Sequence, residues 1–483
     1  MEISNDVGQL GLLSDEVRLV ELGDKRLNRR LGQIMDALAL RSEESFPEAM
    51  RSDSALEAFY RILRNDRVSF DKILEPHLKA SSERAIKERE ILCVHDTTEF
   101  AFRGLEWRKD VGWVGGTKKR GPEYQGFFGH FALALSASAG FEPLGIIGFK
   151  SINRTEHPKG RPMTYANRKA RTESLRWGEL VNDVETRLNR RAQIIHVMDR
   201  EGDMYELLAK MRAKGERFVI RINHNRTLVE EGKESPKRGG PKLYPAMEKA
   251  TMVVEREVAI SRRGKDNRGK QSQKKHPPRE ARTARLAISA MSVLAKRTER
   301  VPASVSKFIQ LNVVRVWEPE PPAGEQPIEW KLFTSEPIET PEQLLRIIDI
   351  YRARWVIEEY FKALKTGCQY EKRQLESLRT LQNALAILVP VAWRILLLRH
   401  LSRTKPDQDA RIVFTKTELE VLRYAYARPF SAAPTVREAV HAIASLAGHH
   451  KSNGPPGWQI LWRGYQDLRR MEHFWVGGKR CDR

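Results

Sequence analysis

Three acidic residues occupy positions where a carboxylate can take part in chemistry. Asp96 directly follows the apolar run 91–95, and Asp199 directly follows the apolar run 194–198. The carboxyl ends of strands are where open α/β sheets bind their ligands. Glu358 is predicted to lie on the inner face of a helix. A lone carboxylate is costly to bury there unless it is paired or bound to a cation.

These three acids would repel one another and raise each other's pKa values unless divalent cations compensated their charge. Oxygen ligands without a histidine or cysteine partner suit Mg²⁺ or Mn²⁺. Two such ions can activate a water molecule or a 3′-hydroxyl for attack on a phosphodiester. Each aspartate alone also fits a plainer interpretation as a turn or helix-cap residue. It is the combination of the three acids that predicts metal-dependent phosphodiester chemistry.

The helix that carries Glu358 is predicted to begin at Thr340 and to end at Gly367. Thr340 is a good N-cap, Pro341 suits the first helical position, and Gln343 completes a capping box. One stripe of this helix is apolar in the first turns and charged further on. The stripe comprises Leu344, Ile347, Ile348, Tyr351, Arg354, Trp355, Glu358, Lys362 and Lys365.

The acids lie within an alternation of short apolar runs and amphipathic stretches. Strands are predicted at 91–95, 127–138, 144–149, 194–198 and 217–222, and helices at 54–64, 79–90, 173–190 and 203–214. This order predicts a mixed α/β sheet. Beyond Gly367 the chain is predicted to be helical, with a Pro/Gly break at 454–457.

Residues 223–330 interrupt this order with turn clusters and alternating stretches such as 252–260 and 308–316. We interpret the segment as a β-rich insertion. Its loop 261–285 contains ten lysines and arginines against two acids. Such a loop can lie along a phosphate backbone, and a merely solvated loop has the same composition.

The charge of the whole chain favours a polyanionic partner. Its 483 residues include 85 lysines and arginines against 63 aspartates and glutamates, a net charge of +22. Nucleic acid is the commonest partner of such a protein, and solubility alone is the alternative explanation.

Near the amino terminus, Asp24 is predicted to cap a helix whose apolar stripe is Leu27, Leu31, Ile34 and Leu38. Four basic residues lie beside this stripe in the first turns: Lys25, Arg26, Arg29 and Arg30. A basic amphipathic helix is either a solvated surface helix or a DNA contact, and both interpretations stay open at this stage.

The spacing of the cysteines and the length of the apolar runs indicate the cellular compartment of the protein. Cys93, Cys368 and Cys481 show no zinc-finger or disulfide spacing, which suits a reducing, intracellular protein. The first residues lack the features of a signal peptide, and the most apolar stretch, 384–393, is too short to span a bilayer. The sequence therefore predicts a soluble protein.

Three motifs together resemble the signature of DDE transposases from bacterial insertion sequences, and within them the group typified by the Tn-five transposase. The motifs are Asp96-Thr97-Thr98, Asp199-Arg200-Glu201-Gly202-Asp203 and Tyr351-x2-Arg354-x3-Glu358-x6-Lys365. Further similarity lies at 22–26, 216–221, 330–337 and 457–462. The resemblance covers most of the chain, and the basic loop of the insertion most weakly.

The resemblance implies an α/β fold with a ribonuclease-H-like catalytic core and a β-rich insertion, flanked by helical N- and C-terminal domains. The implied boundaries are 1–75 for the DNA-binding domain, 76–222 and 331–378 for the two parts of the core, 223–330 for the insertion and 379–483 for the dimerisation domain.

The resemblance also implies roles for individual residues. Asp96, Asp199 and Glu358 would hold two divalent ions, Mg²⁺ or Mn²⁺. Three further residues would grip the 5′-phosphate of the non-transferred strand: Tyr351, Arg354 and Lys365. Their phenol, guanidinium and ammonium groups suit a phosphate.

Two more contacts follow from the resemblance. Trp330 would stack on a base flipped out of the duplex, and Arg221 would contact the hairpin end of the DNA. Ordinary core packing is the alternative for Trp330, and a charge at a sheet edge is the alternative for Arg221.

The implied reaction is cut-and-paste transposition through nicking, hairpin formation, hairpin opening and strand transfer. The implied partners are the terminal inverted repeats, the target DNA and a second subunit in the synaptic complex, in the bacterial cytoplasm at the nucleoid. Two rival functions use the same residues: a metal-dependent nuclease without strand transfer, and a non-catalytic DNA-binding regulator.

An apolar stripe near the C-terminus is relevant to the implied pairing of two subunits. Five of its residues recur at helical spacing: Trp458, Leu461, Trp462, Tyr465 and Leu468. This stripe fits either a core or a dimer seam, because the two have the same pattern in sequence. The linkers between the motifs differ in length from those of the family prototype, mainly in the insertion and the C-terminal region.

Overall fold

The structure is a computed structural model. It describes residues 16, 20–41, 44–104, 107–114, 124–138, 140–154, 164–229, 240–260, 262, 278–426, 430–450 and 456–481. The chain divides into two compact units. The first comprises 1–193 and 355–483, and the second comprises 194–354.

The first unit opens with helices. They are α1 (Lys25–Leu40), α2 (Phe46–Met50), α3 (Asp53–Arg64) and α4 (Phe70–Lys87). The predicted cap of α1 is confirmed, since an Asp24 carboxylate oxygen accepts the Arg26 backbone N–H at 2.7 Å. The predicted start of the third helix at residue 79 is wrong. The helix begins nine residues earlier, at Phe70, where Ser69 is its cap, and Pro76 lies inside the helix.

An antiparallel sheet follows in the same unit, formed by β1 (Glu90–Phe102), β2 (Trp113–Val114), β3 (Tyr124–Ser136) and β4 (Pro143–Ile152), before α5 (Thr164–Leu188). Strand β3 pairs with each of the other three. The predicted end of the first strand before Asp96 is wrong. Residues 96–102 continue the ladder, from Asp96 opposite Phe131 to Phe102 opposite Gln125, because their threonines and phenylalanines suit a paired strand.

The second unit begins with the strand that precedes Asp199. Its elements are β5 (Gln193–Met198), α6 (Tyr205–Lys214), β6 (Arg217–Arg221), β7 (Leu228–Val229), α7 (Leu243–Lys249), β8 (Met252–Ile260), β9 (Arg282–Lys296), β10 (Phe308–Trp317), β11 (Glu329–Thr334) and α8 (Pro341–Ala353). The strand order is β5-β6-β11-β10-β9, and β7 and β8 also pair with β9.

The pairing confirms a mixed α/β fold. Strands β5 and β6 are parallel, whereas β11 pairs antiparallel with β6, and β10 pairs antiparallel with β11 and β9. The predicted strands at 252–260 and 308–316 are confirmed as β8 and β10. The strands of the β-rich segment therefore extend the same sheet as β6. The basic loop at 261 and 263–277 lies outside the described residues.

The chain then returns to the first unit through α9 (Trp355–Lys362), a π-helical turn (Ala363–Gly367), α10 (Leu378–Thr404), α11 (Lys416–Ala425), α12 (Val436–Leu446) and α13 (Trp458–Cys481). Helix α10 is long and apolar enough to cross a membrane by length and composition, but 94% of its most apolar window is buried within the protein. It packs against α4, β4 and α9. Helix α10 is therefore a core helix of this unit.

The stripe in the tail is core. Leu461, Trp462, Tyr465 and Leu468 are buried, and α13 packs against α11 and α12 of its own chain. Trp458 is half-buried beneath the Arg399 guanidinium, whose carbon lies 4.0 Å from the ring centroid. The spacing predicted a buried helix face correctly, and packing within the chain accounts for its burial.

A buried ion pair fixes the loop that follows β6. The Asp203 carboxylate receives the Arg226 guanidinium and the backbone N–H groups of Asn223 and His224, at 2.7 and 2.8 Å. The carboxylate is fully buried and the guanidinium is 6% exposed. Desolvation makes such a pair costly, but removing one partner leaves an uncompensated charge in the interior.

Replacing Asp203 with alanine is expected to lower the free energy of unfolding by about 3–5 kcal/mol, because Arg226 would be left buried without its counter-charge. Urea denaturation followed by tryptophan fluorescence measures this. The control is Glu255→Ala, which breaks the ion pair with the 69%-exposed Arg285 and should cost less than about 1 kcal/mol. Equal losses in the two variants would contradict the prediction.

Candidate active site and DNA-binding surfaces

Asp96 lies within β1 and is half-buried. Its carboxylate accepts the Thr97 backbone N–H at 2.7 Å. The Thr97 hydroxyl lies 2.9 Å from Nδ1 of His130, opposite it on β3, and 3.4 Å from Arg176. Burial, and then the nearby Arg176 guanidinium, lower the pKa of His130 to about 3. A neutral histidine therefore supports the strand beside Asp96.

Glu358 lies in α9 and is half-buried. Aromatic contacts hold this helix against β3. Phe131, which faces Asp96 in the β1–β3 ladder, lies 5.6 Å from both Tyr360 and Phe361 between ring centroids. Helix α9 also packs against β1. The structure thus brings the helix of Glu358 onto the strand of Asp96.

Lys365 lies in the π-helical turn after α9, whose closing bond runs from the Cys368 N–H to the Ala363 carbonyl at 2.9 Å. Its ammonium donates to the Glu99 carbonyl of β1, forms an ion pair with Glu371 at 3.5 Å and lies 5.6 Å from the centroid of the Phe100 ring. Single π-turns occur frequently at functional sites. Here the turn directs a cation to the strand of Asp96.

The helix predicted between Thr340 and Gly367 has the predicted start. The Thr340 hydroxyl accepts the Gln343 N–H, the Gln343 side chain returns to Thr340, and Pro341 is the first helical residue. The prediction of a single continuous stripe along this helix, however, is wrong. The helix is interrupted at Arg354, whose N–H bonds to the Tyr351 carbonyl at 3.2 Å, three residues back rather than four.

This interruption changes which side chains are buried. Tyr351 and Arg354 are buried as predicted, whereas Trp355 is 57% exposed and Lys362 is exposed. The tighter turn alters the angle between successive side chains, so helical spacing stops predicting burial beyond it.

Asp199 directly follows β5 as predicted and is half-buried. Its carboxylate accepts the Glu201 N–H at 2.9 Å and caps the short 3₁₀ turn Arg200–Gly202. A Cβ at Gly202 would lie 2.7 Å from Cβ of Met198, so this turn requires glycine. Asp199 is thus both the acid at the strand end and the turn cap of the plainer interpretation.

The second unit also brings Arg221, Trp330 and Tyr351 together. The rings of Trp330 and Tyr351 lie 6.0 Å apart at 60°. Arg221 ends β6 and donates to the Glu329 carbonyl at 3.4 Å, next to Trp330 on β11. Trp330 is half-buried, so a face of its ring remains accessible. Arg354 lies at the C-terminal end of α8.

The basic residues of α1 all face solvent. Lys25, Arg26, Arg29 and Arg30 are exposed, while Leu31, Ile34 and Leu38 are buried and Leu27 is half-buried. Helix α1 packs against α2, α10 and α13 through its apolar stripe. Its charged side is therefore available to a polyanion.

Sequence reasoning missed the supports behind the acids. His130 and the Asp203–Arg226 pair carry no periodic signal. His130 is identified only by the register of β1 against β3, and Arg226 only by the loop that brings it back to Asp203.

A basic helical surface beside a mixed α/β core that carries carboxylates on a strand and a helix fits a protein that binds nucleic acid. Residues 11–68 match the family model described as transposase DNA-binding, and residues 171–392 match the model described as transposase DDE domain. These two matches support a transposase of the DDE class, whose DDE domain implies a ribonuclease-H-like core beside the DNA-binding domain. The second match includes Asp199 and Glu358 and begins after Asp96.

Replacing both Lys25 and Arg29 with alanine is expected to weaken DNA binding at all sequences. Each lost phosphate contact should reduce the slope of log K against log salt by about 0.9. Fluorescence anisotropy across a salt series measures the slope. The charge-matched control is Arg212→Ala with Lys249→Ala, two exposed cations of the second unit. An unchanged slope in the α1 variant would remove this helix from the interface.

Proposed function

We propose that this transposase moves its element by cut-and-paste transposition, with Asp96, Asp199 and Glu358 as the catalytic acids. The observation that carries the proposal is the packing of α9 on β1, which joins the helix of Glu358 to the strand of Asp96 in a chain of the DDE class. The intact set of three acids with Tyr351, Arg354 and Lys365 supports it further.

The three acids are also the proposed metal ligands. All three are half-buried carboxylates, and hard oxygen donors of this kind fit Mg²⁺ or Mn²⁺. Bound divalent ions would supply Lewis acidity at the phosphodiester and lower the pKa of a bound water. The Thr97 and Glu201 backbone N–H groups orient the carboxylates of Asp96 and Asp199, respectively.

The phosphate contacts are assigned to the basic and phenolic groups that share a sequence motif with Glu358. Lys365 is oriented by the Glu99 carbonyl and Glu371, so its ammonium is held near β1. Tyr351 and Arg354 are proposed to bind the 5′-phosphate of the non-transferred strand together with Lys365. Trp330 is proposed to stack on a flipped base, which suits its half-buried ring beside Tyr351 and Arg221.

The proposed reaction is a series of in-line displacements at phosphorus. A water attacks the phosphodiester at the element end and frees a 3′-hydroxyl as the leaving group. That hydroxyl attacks the opposite strand, forming a hairpin and releasing the flanking DNA. A second water opens the hairpin, and the 3′-hydroxyl then attacks target DNA. Each step breaks one P–O bond and forms another.

The proposed setting is the bacterial cytoplasm at the nucleoid, with the terminal inverted repeats and target DNA as partners. Two alternatives keep the same residues: a nuclease that cuts without joining, and a regulator that binds without cutting. The formation of joined products would exclude the nuclease. Any DNA cleavage would exclude the regulator.

Replacing Glu358 with alanine is expected to abolish cleavage of a linear duplex that carries the element's own ends. Hairpin and joined products should form with wild type in Mg²⁺, and should disappear in EDTA or in the variant. Denaturing gels of end-labelled DNA detect each product. The neighbouring Glu359→Gln is the control, because Glu359 forms ion pairs with Arg399 and Arg403 and has no assigned part in the chemistry.

Specific binding without cleavage in wild type would favour the regulator. Breaks without hairpins or joined products would favour the nuclease. Full activity of Glu358→Ala would show that the chemistry lies elsewhere.

The second subunit is proposed to dock on an exposed apolar surface of the C-terminal helices, which we call the α11–α13 patch: Tyr424, Met471 and Phe474. Tyr424 is 75% exposed and Phe474 is 65% exposed. Tyr424 also lies 4.8 Å from the Trp475 ring. Exposed apolar patches of this kind commonly mark interaction sites, and the repeats at two element ends require two subunits.

Replacing Phe474 with glutamate is expected to prevent pairing of two element ends, because a charge would be buried in the apolar contact. Gel-shift assays should show single-end complexes and no paired-end complexes. The control is Met252→Glu, which adds the same charge at a 47%-exposed apolar site on β8. Paired-end complexes at wild-type yield would place the dimer contact elsewhere.

A further inference from the structure

A pair of tryptophans lies just beyond the end of β1 and has no part in the chemistry described above. The Trp107 side chain is 60% exposed. Its ring meets Trp113 edge-on, with 4.2 Å between centroids and an interplanar angle of 71°. An exposed indole fixed against a second indole is a large apolar surface that presents an aromatic face and edge to solvent.

The backbone around this pair is held rigidly. The Arg108 N–H donates to the Gln125 side chain at 2.8 Å, and the Lys109 N–H donates to the Glu376 carbonyl at 2.7 Å. The Trp113 N–H donates to the Arg154 carbonyl at 3.0 Å. Trp107 is thus presented by a segment tied to three other parts of the first unit. Little ordering cost remains for a ligand that stacks on it.

Gly112 lies in the same segment and packs closely against another part of the backbone. A Cβ there would lie 2.3 Å from the Arg154 carbonyl oxygen, and the Gly112 N–H donates to the Asn153 side chain at 2.7 Å. Gly112 therefore packs directly against Asn153 and Arg154, just beyond β4, and a side chain has no room there.

Two exposed cations lie within four residues of Trp107 in the chain. Arg103 and Lys109 are both exposed, and the Arg103 guanidinium carbon lies 5.8 Å from the Tyr124 ring centroid. Arg108 turns inward, donating to the Leu375 carbonyl at 3.1 Å and the Arg103 carbonyl at 3.0 Å. A short segment with an exposed aromatic side chain and exposed basic side chains suits the bases and phosphates of a nucleic acid. Such a segment suits an apolar protein surface less well.

The distance from the catalytic strand follows from strand geometry. Phe102, the last residue of β1, is six residues beyond Asp96, which corresponds to about 20 Å at roughly 3.3 Å per residue. DNA rises about 3.4 Å per base pair. Trp113 lies level with Phe102 across β3, because Gln125 pairs with both. A duplex running parallel to β1 from the cleaved phosphate would therefore reach the tryptophans after about six base pairs.

We propose that Trp107, supported by Trp113 and close in the chain to the exposed Arg103 and Lys109, is a DNA contact that stacks on a base flipped out of the duplex about six pairs from the cleaved phosphate. This inference rests on the proposed function, because the distance is counted from Asp96. It adds an aromatic platform in the first unit to the one proposed at Trp330 in the second.

Base stacking on Trp107 can be measured with the fluorescent base analogue 2-aminopurine. Each duplex carries one 2-aminopurine, at successive positions from one duplex to the next. The protein carries Glu358→Gln to prevent turnover. Emission should change most at about the sixth pair from the cleavage site, and Trp107→Ala should remove that change. The variant should also weaken binding about tenfold, within the range for losing one base–aromatic stack, whereas Trp107→Phe should retain most of the affinity.

The control is Met252→Ala, which removes an exposed apolar side chain of the second unit and should leave both signals unchanged. Wild-type affinity and emission in Trp107→Ala would overturn the proposal, even if cleavage by the unmutated protein proceeds normally. A Trp107-dependent emission change in a protein that never cleaves would uphold the platform while the proposed chemistry failed. Altered oligomeric state with unaltered DNA affinity would instead make this surface a protein contact.

Discussion

The packing of α9 against β1 is the constraint on which the catalytic proposal depends. A carboxylate on a helix and a carboxylate on a strand can serve one reaction only if the two elements keep a fixed distance. Phe131 provides this, since it lies opposite Asp96 in the ladder and contacts the aromatic residues Tyr360 and Phe361 of the helix. Aromatic pairs of this kind contribute beyond the area that they bury. The acids themselves repel, so apolar contacts must hold their elements together.

Buried charge holds together the part of the second unit that carries the proposed DNA contacts. Besides Asp203–Arg226, the buried Glu336 carboxylate receives Arg217 from the start of β6 and lies 3.6 Å from Arg346 of α8. The Asn312 side chain donates to the Glu336 carbonyl at 2.9 Å. These bonds join β6, β10 and α8, which include or adjoin the residues proposed to bind DNA. Directional bonds suit this unit, because a DNA contact depends on the angle of each side chain as well as its depth.

Local signals in the sequence were sufficient where one residue and its near neighbours decide the outcome. Asp24, Thr340 and Gln343 form the predicted caps because capping involves only three or four consecutive residues. The buried strand before Asp199 and the alternating strands β8 and β10 were predicted because an apolar run or an alternating pattern is also a property of consecutive residues. The prediction failed at Asp96, where pairing with β3 extends the strand, and at Arg354, where one tight turn ends the helical stripe.

The sequence by itself indicated the transposase class and determined the basic character and the mixed α/β composition, since these depend on residue type, spacing and order. The tertiary structure alone decided which side chains meet. The neutral His130 behind Asp96, the ammonium of Lys365 on β1 and the tryptophan pair at 107 and 113 each join residues that are distant in the chain or have no periodic pattern. The physical reason is that register and loop closure position these groups, and neither is encoded within a short window of sequence.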